Sequence, residues 1–408
     1  MRTAGMLIVF LLLLNGVLFC EVLPLQNMNF LRMSDGAECG YGQDNPPPID
    51  SLCLVYSGID YGANFNSPQA YPNAKHITNV RVGSYYFPVI LWETGDSWSK
   101  QSLFSYWDDM FKFWSYPDSF TTNAGIDTGR PMVCVDSHGN LHFCWHQTGS
   151  PDGYETFYTR AILDTSAGVV QYTIERPAQF ISQTDGTEAR FPSMGIYDDT
   201  LIMVVFDLGR PVNATGYNYS TDGGSTWAGQ GIAYDPGGAL PGSWIQPCTA
   251  VDQNTGDTWV ALCFDESGDG SMDLNILHWE ASSDIWTIET AHNATSMHPY
   301  AAPSIVCDNN GIPHVIFQEN LTTTGGSGGL SGWNGCGPAG TLYYTHRQGG
   351  SWSAPVKIMF PRYPVCNYAS GYPSAGIAAD NTIYFSITQP DSATPDTAVY
   401  LPFNVHYG

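Results

Sequence analysis

"APSIVCDNNGIPHVIFQE", residues 302–319, runs from a proline through an apolar stretch, a polar turn, a second apolar stretch and a closing polar pair. That order reads as a β-hairpin, because Val, Ile and Phe favour strands and Asp, Asn and Gly favour the turn between them. Four further segments align with it: "RPMVCVDSHGNLHFCWHQ" (130–147), "FPSMGIYDDTLIMVVFDL" (191–208), "QPCTAVDQNTGDTWVALCFDE" (246–266) and "YPSAGIAADNTIYFSITQ" (372–389). "YPNAKHITNVRVGSYYFPVILWET" (71–94) is a looser sixth copy. The proline is expected where the first strand begins, since there it removes no ladder hydrogen bond.

The anchoring prolines, Pro72, Pro131, Pro192, Pro247, Pro303 and Pro373, recur about every 60 residues, room for four strands and their loops. Several copies continue into a third strand and a Trp-bearing turn, as in "STDGGSTWAGQ" (220–230), "ASSDIWTIE" (281–289) and "RQGGSWSAPVKI" (347–358). Units of this kind arranged radially make an all-β, six-bladed β-propeller of four-stranded antiparallel blades. Too few residues follow Pro373 for a complete unit, and the apolar "LCLVY" (52–56) precedes the first proline. An N-terminal strand from the segment 51–71 is therefore expected to close the ring and remove its open edge. Residues 51–408 make up the propeller on this reading, and 21–50 an irregular lead-in.

Composition agrees with a turn-rich β protein. Gly (43) and Pro (27) are abundant, and only 13% of residues are charged, so the Ala, Leu, Glu and Lys that build helices are not dominant. The formal charge is −24, which repels a phosphate backbone and makes nucleic acid a poor partner. Residues 1–20, "MRTAGMLIVFLLLLNGVLFC", read as a secretory signal peptide whose apolar run is short for a membrane span. Secretion or surface display follows, with lipidation of Cys20 as a minor alternative disfavoured by the bulky Phe19. No later segment reads as a membrane span, and a monomer is expected.

Ten cysteines in an exported chain raise the question of disulfides. A hairpin centred on Gly139 places Cys134 opposite Cys144, and one centred between Thr255 and Gly256 places Cys248 opposite Cys263. Bonding is the favoured expectation, with buried thiols the alternative.

In "STDGGSTW", Ser220, Asp222, Gly224, Thr226 and Trp227 match the Asp-box S-x-D-x-G-x-T-W. Asp222 can accept from amides of its own turn, the paired glycines tolerate positive φ, and Trp227 can pack on a neighbouring sheet. The turn has too few carboxylates for a calcium loop. With the proline-anchored repeat, this match resembles the sialidase-like superfamily of Asp-box (BNR-repeat) propellers over nearly the whole chain from residue 51. The motif speaks for the fold more than for an activity. The resemblance implies arginines that hold a substrate carboxylate, a Tyr–Glu nucleophile pair and an Asp acid/base; no full set of these is assignable to residues of this sequence.

The repeat nevertheless orients the ring. The hairpin turns and the Asp-box share one face, so residues flanking the prolines and following the second strands share the other. That mouth is predicted to hold Arg130, Arg190, His146, Glu93, Gln318 and Tyr372 as ligand-binding groups. Asp207, Asp265, Glu266 and Glu319 are the candidate catalytic acids, able to work in pairs as in glycosidases or, alternatively, to offer oxygen ligands to Ca²⁺. The histidines lack zinc spacing, so no other metal and no cofactor is expected. The preferred function is recognition of a glycan or other extracellular or cell-surface ligand at the funnel. A sialidase-like glycoside hydrolase is the alternative, and a structural scaffold of a surface assembly the third.

Overall fold

The computed structural model describes residues 75–94, 101–108, 113–121, 128–150, 153–183, 185–209, 212–236, 246–265, 272–295, 300–320, 340–359 and 371–388. The expected signal peptide, the lead-in and the closing strand lie outside them. Every element among the described residues is a strand, and none is a helix.

The described residues form six antiparallel sheets that follow one another along the chain. Sheet 1 comprises β1 (Ile77–Val82), β2 (Tyr85–Thr94), β3 (Gln101–Asp108), β4 (Phe113–Trp114) and β5 (Asp118–Ser119). Sheet 2 comprises β6 (Thr128–Val135), β7 (Leu141–Ser150), β8 (Gly153–Asp164), β9 (Gln171–Ile174) and β10 (Gln179–Phe180). Sheet 3 holds β11 (Ala189–Tyr197), β12 (Leu201–Leu208), β13 (Ala214–Ser220) and β14 (Gly231–Tyr234). Sheet 4 holds β15 (Cys248–Val251), β16 (Thr258–Phe264), β17 (Asp273–Glu280) and β18 (Ile285–His292). Sheet 5 holds β19 (Tyr300–Cys307), β20 (Pro313–Asn320), β21 (Gly340–Gln348), β22 (Ser351–Trp352) and β23 (Val356–Met359). β24 (Gly371–Ile377) and β25 (Ile383–Thr388) form the described part of sheet 6. From sheet 1 to sheet 6, the first strand of each lies against the first strand of the next. Inner strands gathered in this way, with their sheets splayed outwards, give a propeller-like architecture.

Period-two alternation decides which neighbour each side chain meets. Met203 and Val205 of β12 pack towards sheet 4, whereas Ile202, Val204 and Phe206 pack towards sheet 2. Five apolar layers result, one between each pair of successive sheets. Sheets buried on both faces need strands that are apolar throughout, which explains why runs such as "LIMVVF" do not alternate with polar residues. Fully burying a side chain like Phe206 is worth roughly 2–3 kcal/mol.

The prolines occupy a more specific place than a strand start. Pro131, Pro192, Pro303 and Pro373 lie inside β6, β11, β19 and β24, where the pairing register shifts at Gly129/Met132, Arg190/Ser193, Ala301/Ser304 and Gly371/Ser374. Immediately before three of them, Arg130, Phe191 and Ala302 take left-handed φ of 56°, 51° and 50°. These are β-bulges, so the missing proline amide falls where the ladder is already interrupted.

The residue after the proline joins one sheet to the next. Ser193 Oγ accepts from the Thr249 amide at 2.9 Å, and Ser304 Oγ accepts from the Ala375 amide at 2.9 Å. Met132 Sδ stands in the same relation to the Met194 amide at 3.0 Å. Cys248 takes the Ser position in sheet 4, and the Ile305 amide bonds its sulfur.

That arrangement corrects the disulfide expectation: Cys134, Cys144, Cys248 and Cys263 are all free thiols. Cys134 pairs with His142 and Met132 with Cys144, while Cys248 pairs with Ala261. The first turn is closed by Asp136 and Asn140, centred on His138 rather than Gly139. The second is closed by Asp252 and Asp257 and centres one residue earlier than expected. Each cysteine pair is thereby diagonal across its ladder instead of directly opposed, beyond the reach of a bridge.

Candidate functional site

At the hairpin-tip face the polar residues serve the turns themselves. Asp136 Oδ1 accepts from the His138 and Asn140 amides, Asp308 Oδ1 from Asn310 and Ile312, and Asp380 Oδ1 from Thr382. Neighbouring tips are also tied together. Ser137 donates its amide to Asp199 Oδ1 at 2.6 Å between sheets 2 and 3, and Gln253 Nε2 reaches Ile196 O at 2.9 Å between sheets 3 and 4. Asn254 Nδ2 reaches Asn309 O at 3.1 Å, and the Asn309 amide donates to Asn381 Oδ1 at 2.8 Å.

The S-x-D-x-G-x-T-W stretch lies on this face, between β13 and β14. Asp222 Oδ1 accepts from the Thr226 amide and the Ser220 hydroxyl, both at 2.8 Å, and Oδ2 from the Thr226 hydroxyl at 2.7 Å. The Thr226 bonds, with help from Ser220, hold the carboxyl down to about 2. Gly223 and Gly224 have φ of 68° and 86°, and a Cβ on Gly224 would overlap the Tyr158 hydroxyl of sheet 2. Trp227 meets the Tyr158 ring edge-to-face at 5.0 Å.

The opposite ends of sheets 2 and 3 bring together several of the residues predicted for the mouth. Two guanidiniums lie near the Phe191 ring, with Arg130 Cζ 5.6 Å and Arg190 Cζ 5.9 Å from its centroid. The left-handed bulge at Arg130 and Phe191 turns both side chains out of the regular pleat. His146 meets Phe191 edge-on at 5.4 Å and Tyr154 at 4.8 Å. The Phe191 amide donates to His146 Nδ1 at 3.2 Å, so the neutral ring carries its proton on Nε2 and presents a donor.

Arg190 is buried and reaches Glu188 at 3.0 Å and Asp207 at 3.7 Å. Glu188 fits because positions 153 and 209 are glycines: a Cβ on Gly153 would sit 2.6 Å from Glu188 Oε1, and one on Gly209 2.6 Å from Arg190 Nη2. Burial pushes the Asp207 carboxyl up to about 8; Arg190 pulls against this and Glu188 adds to it. Asp207 therefore keeps its proton at neutral pH and can serve as a hydrogen-bond donor or an acid. Because Asp207 is neutral there, the local balance of Arg130, Arg190, Glu188 and Asp207 is positive within an otherwise acidic protein.

Glu319 belongs to a different cluster, between sheets 4 and 5. The Tyr343 hydroxyl donates to Glu319 Oε2 at 3.0 Å, and Tyr343, Tyr300 and Phe317 pack together. Burial first, then the bond and charge of Glu319, push the Tyr343 phenol up to about 12. The phenol keeps its proton at rest, and the carboxylate that it donates to stands where a base would take it. Gln318 and Asp265 are buried near the same end. Glu93 and Tyr372 occupy β2 and β24, but their side chains lie outside the described residues, as does Glu266.

Among the described residues, the one grouping of metal-ligand type is Asp136, His138 and Asp199. It sits at the hairpin tips, away from the acids proposed for Ca²⁺. Asp136 already accepts from His138, Asn140 and His142, and Asp199 from Ser137, so the set does not suit a cation that seeks many free oxygens.

Sequence reading missed Phe191, Glu188 and Tyr154 at the mouth, and also His76. Lys75 and His76 lead into β1, where their carbonyls accept from the Val133 and Leu91 amides at 3.0 and 2.8 Å. No pattern in "PNAKH" announces this, because the turn-and-proline order of the other copies is lost there.

Neither a family model nor a curated protein sequence matches this chain. Among solved structures, the ulvan lyase PL25 bound to a GlcA-containing saccharide is similar at a TM-score of 0.57 and 12% identity, covering 80% of this chain and 79% of that one. The two share a fold. The NanB sialidase from Streptococcus pneumoniae is similar at a TM-score of 0.44 and 10% identity over 84% of this chain and 68% of that one. Trypanosoma rangeli sialidase in complex with DANA gives a TM-score of 0.45 at 12% identity over 78% and 53%.

Proposed function

We propose that this chain is an exported, six-bladed, sialidase-like propeller that recognises an acidic sugar unit at the mouth formed by sheets 2 and 3. The observation that carries the reading is the pair of guanidiniums, Arg130 and Arg190, gathered at Phe191, with His146 at its edge. Arginine suits planar anions through charge-assisted, bidentate bonds, and aromatic side chains beside such groups suit the apolar parts of a sugar. The similarity of fold to a lyase solved with a GlcA-containing saccharide supports a glycan ligand. The net charge of −24 argues for a sparsely charged glycan, because a dense polyanion would be repelled before it reached the mouth.

A second reading is cleavage of the bound chain, favoured by Asp207, which burial keeps protonated to about 8. A carboxylic acid beside an anion-binding arginine has the properties of a general acid.

A glycan array carrying sialyl-, glucuronyl- and galacturonyl-terminated oligosaccharides beside neutral ones tests both readings. Saturable binding of acidic probes, weakened about tenfold or more by Arg130→Ala, is the expected outcome. Preference for neutral probes, or indifference to Arg130→Ala, refutes the acidic-sugar reading. Product release from the bound probes that is lost on Asp207→Asn, with binding kept, establishes the second reading.

A further inference from the structure

His76 is buried, with 9% of its surface exposed, and its ring stands beside Arg130. It bonds the Pro131 carbonyl, which requires one ring nitrogen to donate. Its Nε2 is buried and has no hydrogen-bond partner among the described residues. The bonded nitrogen is therefore Nδ1–H, and Nε2 in the neutral ring is a bare lone pair. Burial, with Arg130 adding to it, lowers the ring to about 4 against the Pro131 bond, so Nε2 remains an acceptor at neutral pH.

The other two described histidines with unpartnered Nε2 atoms differ in kind. Those of His278 and His314 face the carboxylates of Asp257 and Asp308 at 3.5 and 3.7 Å, so in the neutral ring that nitrogen carries the hydrogen. No carboxylate faces His76 in this way among the described residues. A second buried acceptor, Gln246 Oε1, also has no partner among the described residues, and Gln246 is 6% exposed. It directly precedes Pro247, the place in sheet 4 that Arg130 takes in sheet 2 and Phe191 in sheet 3. Both acceptors thus belong to the mouth ends of inner strands. Buried acceptors are ordinarily satisfied, and leaving one without a donor disfavours folding.

We propose that His76 Nε2 and Gln246 Oε1 are the acceptors of an inner subsite that takes hydroxyl groups of the sugar unit whose acidic group Arg130 holds. This rests on the acidic-sugar reading above and extends it: the ligand must carry free hydroxyls beside its anion, so a sugar acylated or sulfated at those positions is rejected.

The test compares His76→Asn, His76→Gln, Gln246→Leu and Arg130→Ala for binding of the same sialyl- and uronyl-terminated oligosaccharides, with thermal stability measured in parallel. His76→Asn keeps a donor near the Nδ1 position and removes the Nε2 acceptor. It is expected to bind about tenfold more weakly, the loss of one hydrogen bond to a buried partner, with stability unchanged or raised. His76→Gln keeps an acceptor near the Nε2 position and should lose less affinity. Gln246→Leu should weaken binding while leaving the fold intact. Loss of binding in Arg130→Ala with unchanged affinity in both His76→Asn and Gln246→Leu overturns the subsite and leaves the acidic-sugar reading standing. Equal losses of affinity and stability in both His76 variants assign the residue to the fold and also overturn it. A wild-type chain that binds none of the acidic probes removes both readings together.

Discussion

Asp252 and Gln246 lie at opposite ends of the inner strand of sheet 4. Asp252 accepts from the Asn254 amide, the Asn254 side chain and the Thr255 hydroxyl, so its oxygens are fully engaged within one turn. Gln246 is as well buried and has no donor to its carbonyl oxygen among the described residues. The same contrast recurs between sheets. Tip carboxylates such as Asp222 are held down by local donors, whereas Asp207 at the mouth is pushed up by burial. A polar group whose partners are supplied by the repeat belongs to the architecture. One whose partners are missing, although it is out of water, is where a ligand can contribute.

The largest expected loss of stability would come from the tip side. Gly224→Val forces a side chain into the Tyr158 hydroxyl at a φ of 86°, and should destabilise by about 3 kcal/mol or more, read as a lowered denaturant midpoint. A loss below about 1 kcal/mol would show that the tip face yields easily, and the contrast would weaken.

Asp207→Asn sharpens the mouth side. The folded carboxyl keeps its proton up to about 8 while the unfolded chain loses it near 3.8. Unfolding therefore releases a proton between those values, and stability falls as pH rises through the window. Asn abolishes that fall, so the variant should gain several kcal/mol, on the order of 5, over the wild type near pH 8 and little near pH 4, by chemical denaturation at several pH values. Parallel stability curves would show that Asp207 is ionised in the folded protein.

The smallest expected effect concerns one tie between tips. Asn309→Ala removes a side-chain bond to Ala379 O at 2.6 Å on an exposed turn, and should cost about 0.5–1 kcal/mol with glycan binding unchanged. A change in binding would mean that the two faces communicate.

The hairpins were legible because each carries its own punctuation: proline before, Asp-Asn-Gly between, a polar residue after. The Asp222 turn could be read for the same reason, since every donor to it lies within the stretch Ser220–Thr226. The bulges could not be read, because a residue before proline ordinarily avoids the helical regions and Arg130, Phe191 and Ala302 depart from that rule under tertiary constraint. The cysteine registers were missed by two residues, a shift that keeps each side chain on its own face and so leaves no trace in the hydrophobic pattern. Arg130, Arg190, His146 and Asp207 lie near one another, as their shared place in the repeat led one to expect. Glu188 lies before its aligned copy, and His76 lies in the loosest one; both come close only through packing between sheets.

The bond from the residue after each proline has a consequence for how such a chain can grow. Ser193, Cys248 and Ser304 each accept from the following sheet, and sheets 4 and 5 each supply their own acceptor in turn. A duplicated unit would arrive with both halves of the joint already encoded and would need no matching change in the unit it lands beside. Gene duplication can then alter the number of units, while each mouth residue diverges on its own.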